Sequence, residues 1–138
     1  MALALRQFQQ AGQQFSYHHL CHGRREIRLL DLLPGLPLQP IECELRVVAL
    51  DDKPEYEALS YVWGDPTRLT TVSLLGVPFR ITKSLESALR RLRNPTKTRT
   101  LWVDAICINQ SNDTERTEQM GRMREIFSQT TECAIWFG

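Results

Sequence analysis

Leu101-Trp-Val-Asp-Ala-Ile-Cys-Ile108 is an apolar run broken by a single carboxylate. A run of this kind, with no alternation, reads as a strand buried on both faces, as in a parallel sheet. Its neighbours fit that reading. Upstream, Ser84 can cap a helix whose Leu85, Ala88, Leu89 and Leu92 recur at i, i+3, i+4 and i+7 as one apolar stripe, and Asn94-Pro95 stops it. Downstream, Asn112 or Asp113 can cap a second helix, with Glu115 at its positive end and Met120, Met123, Ile126 and Phe127 as the expected buried stripe. Cys133-Ala-Ile-Trp-Phe137 reads as a last strand. Helix, strand, helix, strand predicts a parallel α/β core.

The first half adds strands that need not share that sheet. Glu26–Leu32 reads as a short strand, followed by loop-forming Pro34-Gly-Leu-Pro37 and Pro40. Ile41–Val47 alternates, with Ile41, Cys43, Leu45 and Val47 on one face and Glu42, Glu44 and Arg46 on the other. Tyr56–Trp63 is another strand, closed by Gly64-Asp-Pro66, and Thr71–Leu75 and Val77–Ile81 flank Gly76 as a hairpin. Residues 1–23, rich in Gln and His, read as a flexible leader, and residues 24–138 as one domain. The chain closes on an apolar strand that a further helix would normally cover, so the domain is expected to be incomplete at its C-terminus.

Composition narrows the classes. The chain has 138 residues, 42% of them hydrophobic and 24% charged, with a formal net charge of +1. That is one ordinary globular domain, not a coiled coil, a collagen or a polyelectrolyte drawn to nucleic acid or membrane. No run approaches the ~18 apolar residues of a membrane helix, and Met1–Leu5 is too short for a signal-peptide core. Cys21, Cys43, Cys107 and Cys133 form no C-x-x-C pair. The expectation is a cytoplasmic protein with reduced thiols, no membrane partner and no native metal site; His18-His-Leu-Cys-His22 crowds its ligands too closely for one tetrahedral ion.

Three blocks together resemble the fungal heterokaryon-incompatibility (HET) domain: Ile27–Leu32 with Ile41–Leu45; Tyr56-Glu-Ala-Leu-Ser-Tyr-Val-Trp-Gly-Asp65; and Leu101–Gln110 with Glu115, Arg116, Gln119, Met123, Ile126 and Trp136-Phe-Gly138. The Ile81–Leu89 segment lies between the second and third, as the family's pattern wants. Phe127, Thr130 and Phe137 depart mildly from it. The resemblance implies a fungal protein of nonself recognition that triggers programmed cell death. It also implies a fold distantly similar to Toll/interleukin-1 receptor (TIR) domains, Ala58–Asp65 resembling that fold's first strand and loop. Some TIR-type domains cleave NAD+ with a glutamate on a later helix. That helix would follow Gly138, so no glutamate here is matched to it, and NAD+ stands as a candidate substrate rather than a bound cofactor. The other mechanism is a non-enzymatic module that signals by self-association or with other HET or signalling proteins.

The candidate residues each have a plainer reading. Ser60, Tyr61, Trp63, Gly64 and Asp65 lie at the carboxyl edge of a strand, where α/β proteins bind ligands. There Trp63 would stack on a base and Asp65 would hold a ribose hydroxyl; the alternative is a core strand with a capped turn. Asp104, a charge inside an apolar run, serves a site or satisfies backbone amides and Arg116. Glu115 is a candidate general acid or base, or a partner of the helix dipole. Cys107 has no positioned base and reads as a structural thiol. Arg80, Lys83, Arg90, Arg91, Arg93, Lys97 and Arg99 face one acid, Glu86, which suggests a phosphate-binding or a merely solvated helix face; aromatic interleaving is missing, which argues against nucleic acid. No Walker, H-E-x-x-H, G-x-S-x-G or G-x-G-x-x-G motif occurs.

Overall fold

The computed structural model describes residues 15–61, 64–130 and the backbone of 132–136. The elements are β1 (Glu26–Leu32), β2 (Glu42–Ala49), β3 (Glu57–Tyr61), β4 (Leu69–Leu74), β5 (Val77–Thr82), α1 (Lys83–Leu92), β6 (Arg99–Trp102), α2 (Asp104–Cys107), α3 (Asp113–Ser128) and β7 (Glu132–Trp136). All seven strands join one mixed sheet in the order β5-β4-β2-β1-β6-β3-β7. The first-half strands therefore do share the sheet. Leu30 of β1 lies opposite Leu101 of β6, and this antiparallel seam fuses the two halves.

The parallel sector is β6-β3-β7. From β3 the chain passes to β6 on one side and then returns to β7 on the other. The two crossovers run in opposite directions, the arrangement in which right-handed connections place helices on opposite faces of a sheet. Consecutive residues Ala58 and Leu59 of β3 point to opposite faces, and both are buried. The α/β core expected from sequence is thus present in mixed form, with three mutually parallel strands.

The hairpin follows the sequence reading. Leu74 pairs with Val77 across a two-residue turn, and Leu75 and Gly76 both take positive φ, 53° and 78°. That is the turn whose twist matches paired strands, and glycine satisfies its second position without strain. Leucine at the first position is strained, since a side chain there crowds its own carbonyl.

Three sequence expectations are corrected. The run Leu101–Ile108 is not one strand: β6 ends at Trp102, and Asp104–Cys107 turn as helix beneath β1. Ala105, Ile106, Cys107 and Ile108 are all buried, which accounts for the run of apolar residues, although only its start pairs with the sheet. The cap of α1 is Thr82, not Ser84; its hydroxyl accepts from the Leu85 N–H at 3.2 Å. The buried stripe of α3 is Glu115, Gln119, Arg122 and Ile126, with Met123 and Phe127 packed partly against the core and Met120 exposed. Hydrogen bonds as well as apolar contacts therefore hold this helix.

Phe15–His18, within the segment read as a leader, make contacts with the domain. Phe15 and Tyr17 pack edge-on against Phe79, and the Tyr17 hydroxyl donates to the Ile106 carbonyl at 2.7 Å. The loop before β2 is held from outside the sheet. Arg93 donates to the carbonyls of Leu36, Gln39 and Pro40, and Arg90 to those of Pro37 and Gln39.

The strain at Leu75 is testable. Leu75→Asn, a residue that tolerates left-handed backbone, is expected to raise stability by about 1 kcal/mol in urea denaturation. Unchanged or lowered stability would show that Leu75 makes an interaction that outweighs its backbone cost.

Candidate functional site

The sector's strand order reverses around β3, and the carboxyl ends of β3 and β6 open beside that point. A cleft of about 80 Å³ lies there, lined by Leu59, Ser60, Tyr61, Trp102, Asp104, Met123 and Phe127. Local structure explains each wall. β3 delivers Ser60 and Tyr61 at its last two positions, β6 ends on Trp102, and α2 begins on Asp104. α3 closes the side with Met123 and with Phe127, whose ring meets Trp102 edge-to-face at 5.8 Å.

Asp104 is largely buried and no described basic side chain pairs with it. Burial pushes its carboxyl above the ordinary value, against hydrogen bonds from the backbone at Ala105 and at Asp104 itself. Burial, with the Asp104 charge beside it, also keeps the Tyr61 phenol protonated. The Trp102 indole N–H is buried without a hydrogen-bond partner among the described residues. The cleft therefore gathers a carboxyl disposed to hold or take a proton and a phenol beside the buried Trp102, with the exposed Ser60 at its mouth. Its volume admits a few atoms of a ligand and not a whole nucleotide.

The other candidates go elsewhere. Trp63 lies outside the described residues. Gly64, at φ 66°, brings its backbone so close to α1 that an added Cβ would stand 3.3 Å from the Ser84 Cβ. Asp65 is exposed, and its Oδ1 accepts from both the N–H and the hydroxyl of Thr67, at 2.9 and 2.7 Å. Those bonds lower its pKa and leave it as a turn-forming carboxylate outside the cleft. Glu115 is buried away from the cleft. Arg28 grips both its oxygens at 2.7 Å, and the Asn109 N–H adds 2.6 Å to Oε2. Arg116 turns to Asp113, not to Asp104. Cys107 is wholly buried and its thiol is pushed up to about 12, chiefly by burial, as an inert structural thiol requires.

Sequence reasoning missed Arg28, the cleft walls Met123 and Phe127, and the backbone role of the basic run. Arg90, Arg93 and Arg99 of that run bind loop carbonyls or Glu57, so they are not an open basic face. Larger depressions lie near the start of β1. One of about 450 Å³ is lined by Arg25, Asp51 and Lys53, with Arg25 already paired to Asp51 and Glu125. Among the described residues no cluster of His, Cys, Asp and Glu could hold a metal ion, and no helix is long and apolar enough to cross a membrane.

The raised Asp104 pKa fixes the sign of a pH effect. Its protonated form is favoured on folding, so the stability it contributes is full below the unfolded carboxyl value and is lost as pH rises through the folded value. Asp104→Asn is therefore expected to raise the urea midpoint at neutral pH, with the gain vanishing below about pH 4. A loss at neutral pH would mean that the charge is stabilised by a partner.

The family model described as "Heterokaryon incompatibility protein (HET)" matches residues 56–138, more than half of the chain. The chain is 37% identical over 144 aligned positions, 93% of its length, to "Heterokaryon incompatibility protein 6, OR allele" of Neurospora crassa. It spans 21% of that relative. No solved structure gives a significant match.

Proposed function

The chain belongs to the heterokaryon incompatibility (HET) family, and from that premise we propose that it acts in fungal nonself recognition leading to programmed cell death, through a nucleotide-facing edge where NAD+ is cleaved. The observation that carries the reading is the cleft at the carboxyl ends of β3 and β6, with the buried Asp104 carboxyl beside Tyr61 and Ser60. Nucleotide ligands of α/β sheets settle at this kind of strand-order reversal.

The ligand's reacting end enters the cleft, and the rest lies over the exposed Gly64–Asp65 turn. Asp104 serves as the proton-handling group there, with the Tyr61 hydroxyl and the Trp102 N–H as donors. Glu115 has no part in the chemistry, because Arg28 holds both its oxygens. The TIR-like relationship belongs to this proposal. It is supported by the three-strand parallel sector with its first strand in the middle.

A second reading, a non-enzymatic self-associating module, is supported by a separate observation. Val47 and Leu75 are exposed, 40% and 48%, and line one groove with Phe15 and Leu45. Exposed neighbouring apolar side chains of this kind mark association surfaces.

The two readings separate in one assay, nicotinamide release from NAD+ by the purified, folded protein. The enzyme reading predicts release that falls by about a hundredfold in Asp104→Asn, within the usual contribution of a proton-transfer group. Full turnover in Asp104→Asn removes the role of Asp104. No release from the folded wild-type protein removes the enzyme reading for these residues.

A further inference from the structure

β2 is an interior strand for only part of its length. On one side it pairs with β1 from end to end, Glu26↔Ala49 to Leu32↔Cys43. On the other side β4 reaches only Glu42 and Cys43 before the chain turns away at Leu75-Gly76. The carbonyls of Ile41 and Cys43 face β4, accepting from the N–H groups of Ser73 and Leu75. Backbone direction alternates along a strand, so Leu45 and Val47 aim their N–H and C=O groups the same way, past the end of β4. No described group hydrogen-bonds them.

This open notch lacks the usual protection. The terminal strand β5 carries Pro78 and Arg80, residues that discourage edge pairing. The Leu45–Ala49 stretch has no proline and no lysine, and its one charge, Arg46, is paired with Asp31. Apolar side chains flank the notch. Val47 is 40% exposed, and Leu75 is held at φ 53° with its side chain 48% exposed in the same groove of about 130 Å³. A leucine kept in strained backbone beside an edge that no described strand pairs is an outlier that points to a functional contact.

We propose that the open half of the β2 edge is a self-association site, pairing antiparallel with the same edge of a second copy about a two-fold axis at Val47. The register is set by the residues. With Val47 opposite the partner's Val47, Leu45 falls opposite the partner's Ala49 and Arg46 opposite the partner's Val48. No like charges then meet across the pair. The Val47 N–H and C=O groups bond to those of the partner's Val47, and the outer pairs extend the ladder on both sides. Such a contact is isologous and closes on itself as a dimer. A register centred on Arg46 would set two guanidinium groups face to face. The strand addition supplies backbone hydrogen bonds, and the groove lined by Phe15, Leu45, Val47 and Leu75 takes the apolar side chains that cross the axis.

The proposal deepens the self-association reading and rests on it, and its failure is distinguishable from the failure of that reading. Sedimentation equilibrium of the 138-residue chain from micromolar to millimolar concentration is expected to show its mass rising from 16.0 kDa toward twice that value. Amide hydrogen exchange at Leu45 and Val47 should slow over the same range. Val47→Lys, which opposes two ammonium groups at the axis, should remain monomeric with an unchanged urea midpoint. A chain that stays monomeric at every concentration overturns both the proposal and the self-association reading. A dimer that persists in Val47→Lys, with the Leu45 and Val47 amides still fast, overturns the edge site alone. Slowing of those amides only when an extended peptide of unrelated sequence is added overturns the second copy as occupant.

Discussion

Arg28 places a guanidinium 2% exposed in the middle of β1, and the rest of the domain is arranged around neutralising it. A buried charge without partners costs several kcal/mol. Here Glu115 meets it with two parallel hydrogen bonds of 2.7 Å, the Cys107 and His18 carbonyls accept at 3.0 and 2.6 Å, and the Tyr17 ring lies 4.6 Å away. The partners come from three different pieces of chain. Glu115 anchors the first turn of α3, Cys107 ends α2, and Tyr17 and His18 bring the N-terminal segment onto the core. Glu115 also accepts from the Asn109 N–H, and Gln110 donates to the Asp104 carbonyl. One ion pair thus fixes the turn that begins with Asp104, and with it one wall of the cleft.

Where a segment's side-chain pattern reported its packing, the sequence was legible. The alternation of Ile41, Cys43 and Leu45, the stripe of α1 and the punctuation at Gly76 and Asn94-Pro95 all correspond to observed elements. It failed where burial came without the expected geometry. Leu101–Ile108 is buried at every position but Asp104, and periodicity cannot tell a double-faced strand from a strand followed by a buried helical turn. α3 misled for the opposite reason. Its buried face is made of Glu115, Gln119 and Arg122 with Ile126, and two of the polar side chains reach partners on other elements, Glu115 on Arg28 and Gln119 on the Glu26 carbonyl. Hydrophobicity alone assigns such residues to solvent. The one available signal was Arg28 itself, the lone cation of β1, set among the apolar Ile27, Leu29 and Leu30, which implied a buried anion elsewhere.

For the site, the chain supplied the edge but not its composition. Ser60 and Tyr61 at the end of β3, and Asp104 after β6, do meet in one cleft. Asp65 and Glu115 do not. The first is used by its own turn and the second by Arg28, a partner 87 residues away that no local spacing reveals. Met123 and Phe127 read as ordinary helix core and turn out to be cleft wall. The departure at Thr130 has a structural use, its hydroxyl bridging the Tyr56 carbonyl and the Ala58 N–H at the start of β3.

The dependence of the fold on the Arg28–Glu115 pair is tested most directly by a double-mutant cycle. Arg28→Met, Glu115→Leu and the double variant are compared with the wild type by urea denaturation at neutral pH. Each single change should cost about 3–5 kcal/mol, because it strands the other charge, and the double variant should recover much of that loss. Losses that simply add would contradict the pair as the interaction that holds β1, α2 and α3 together.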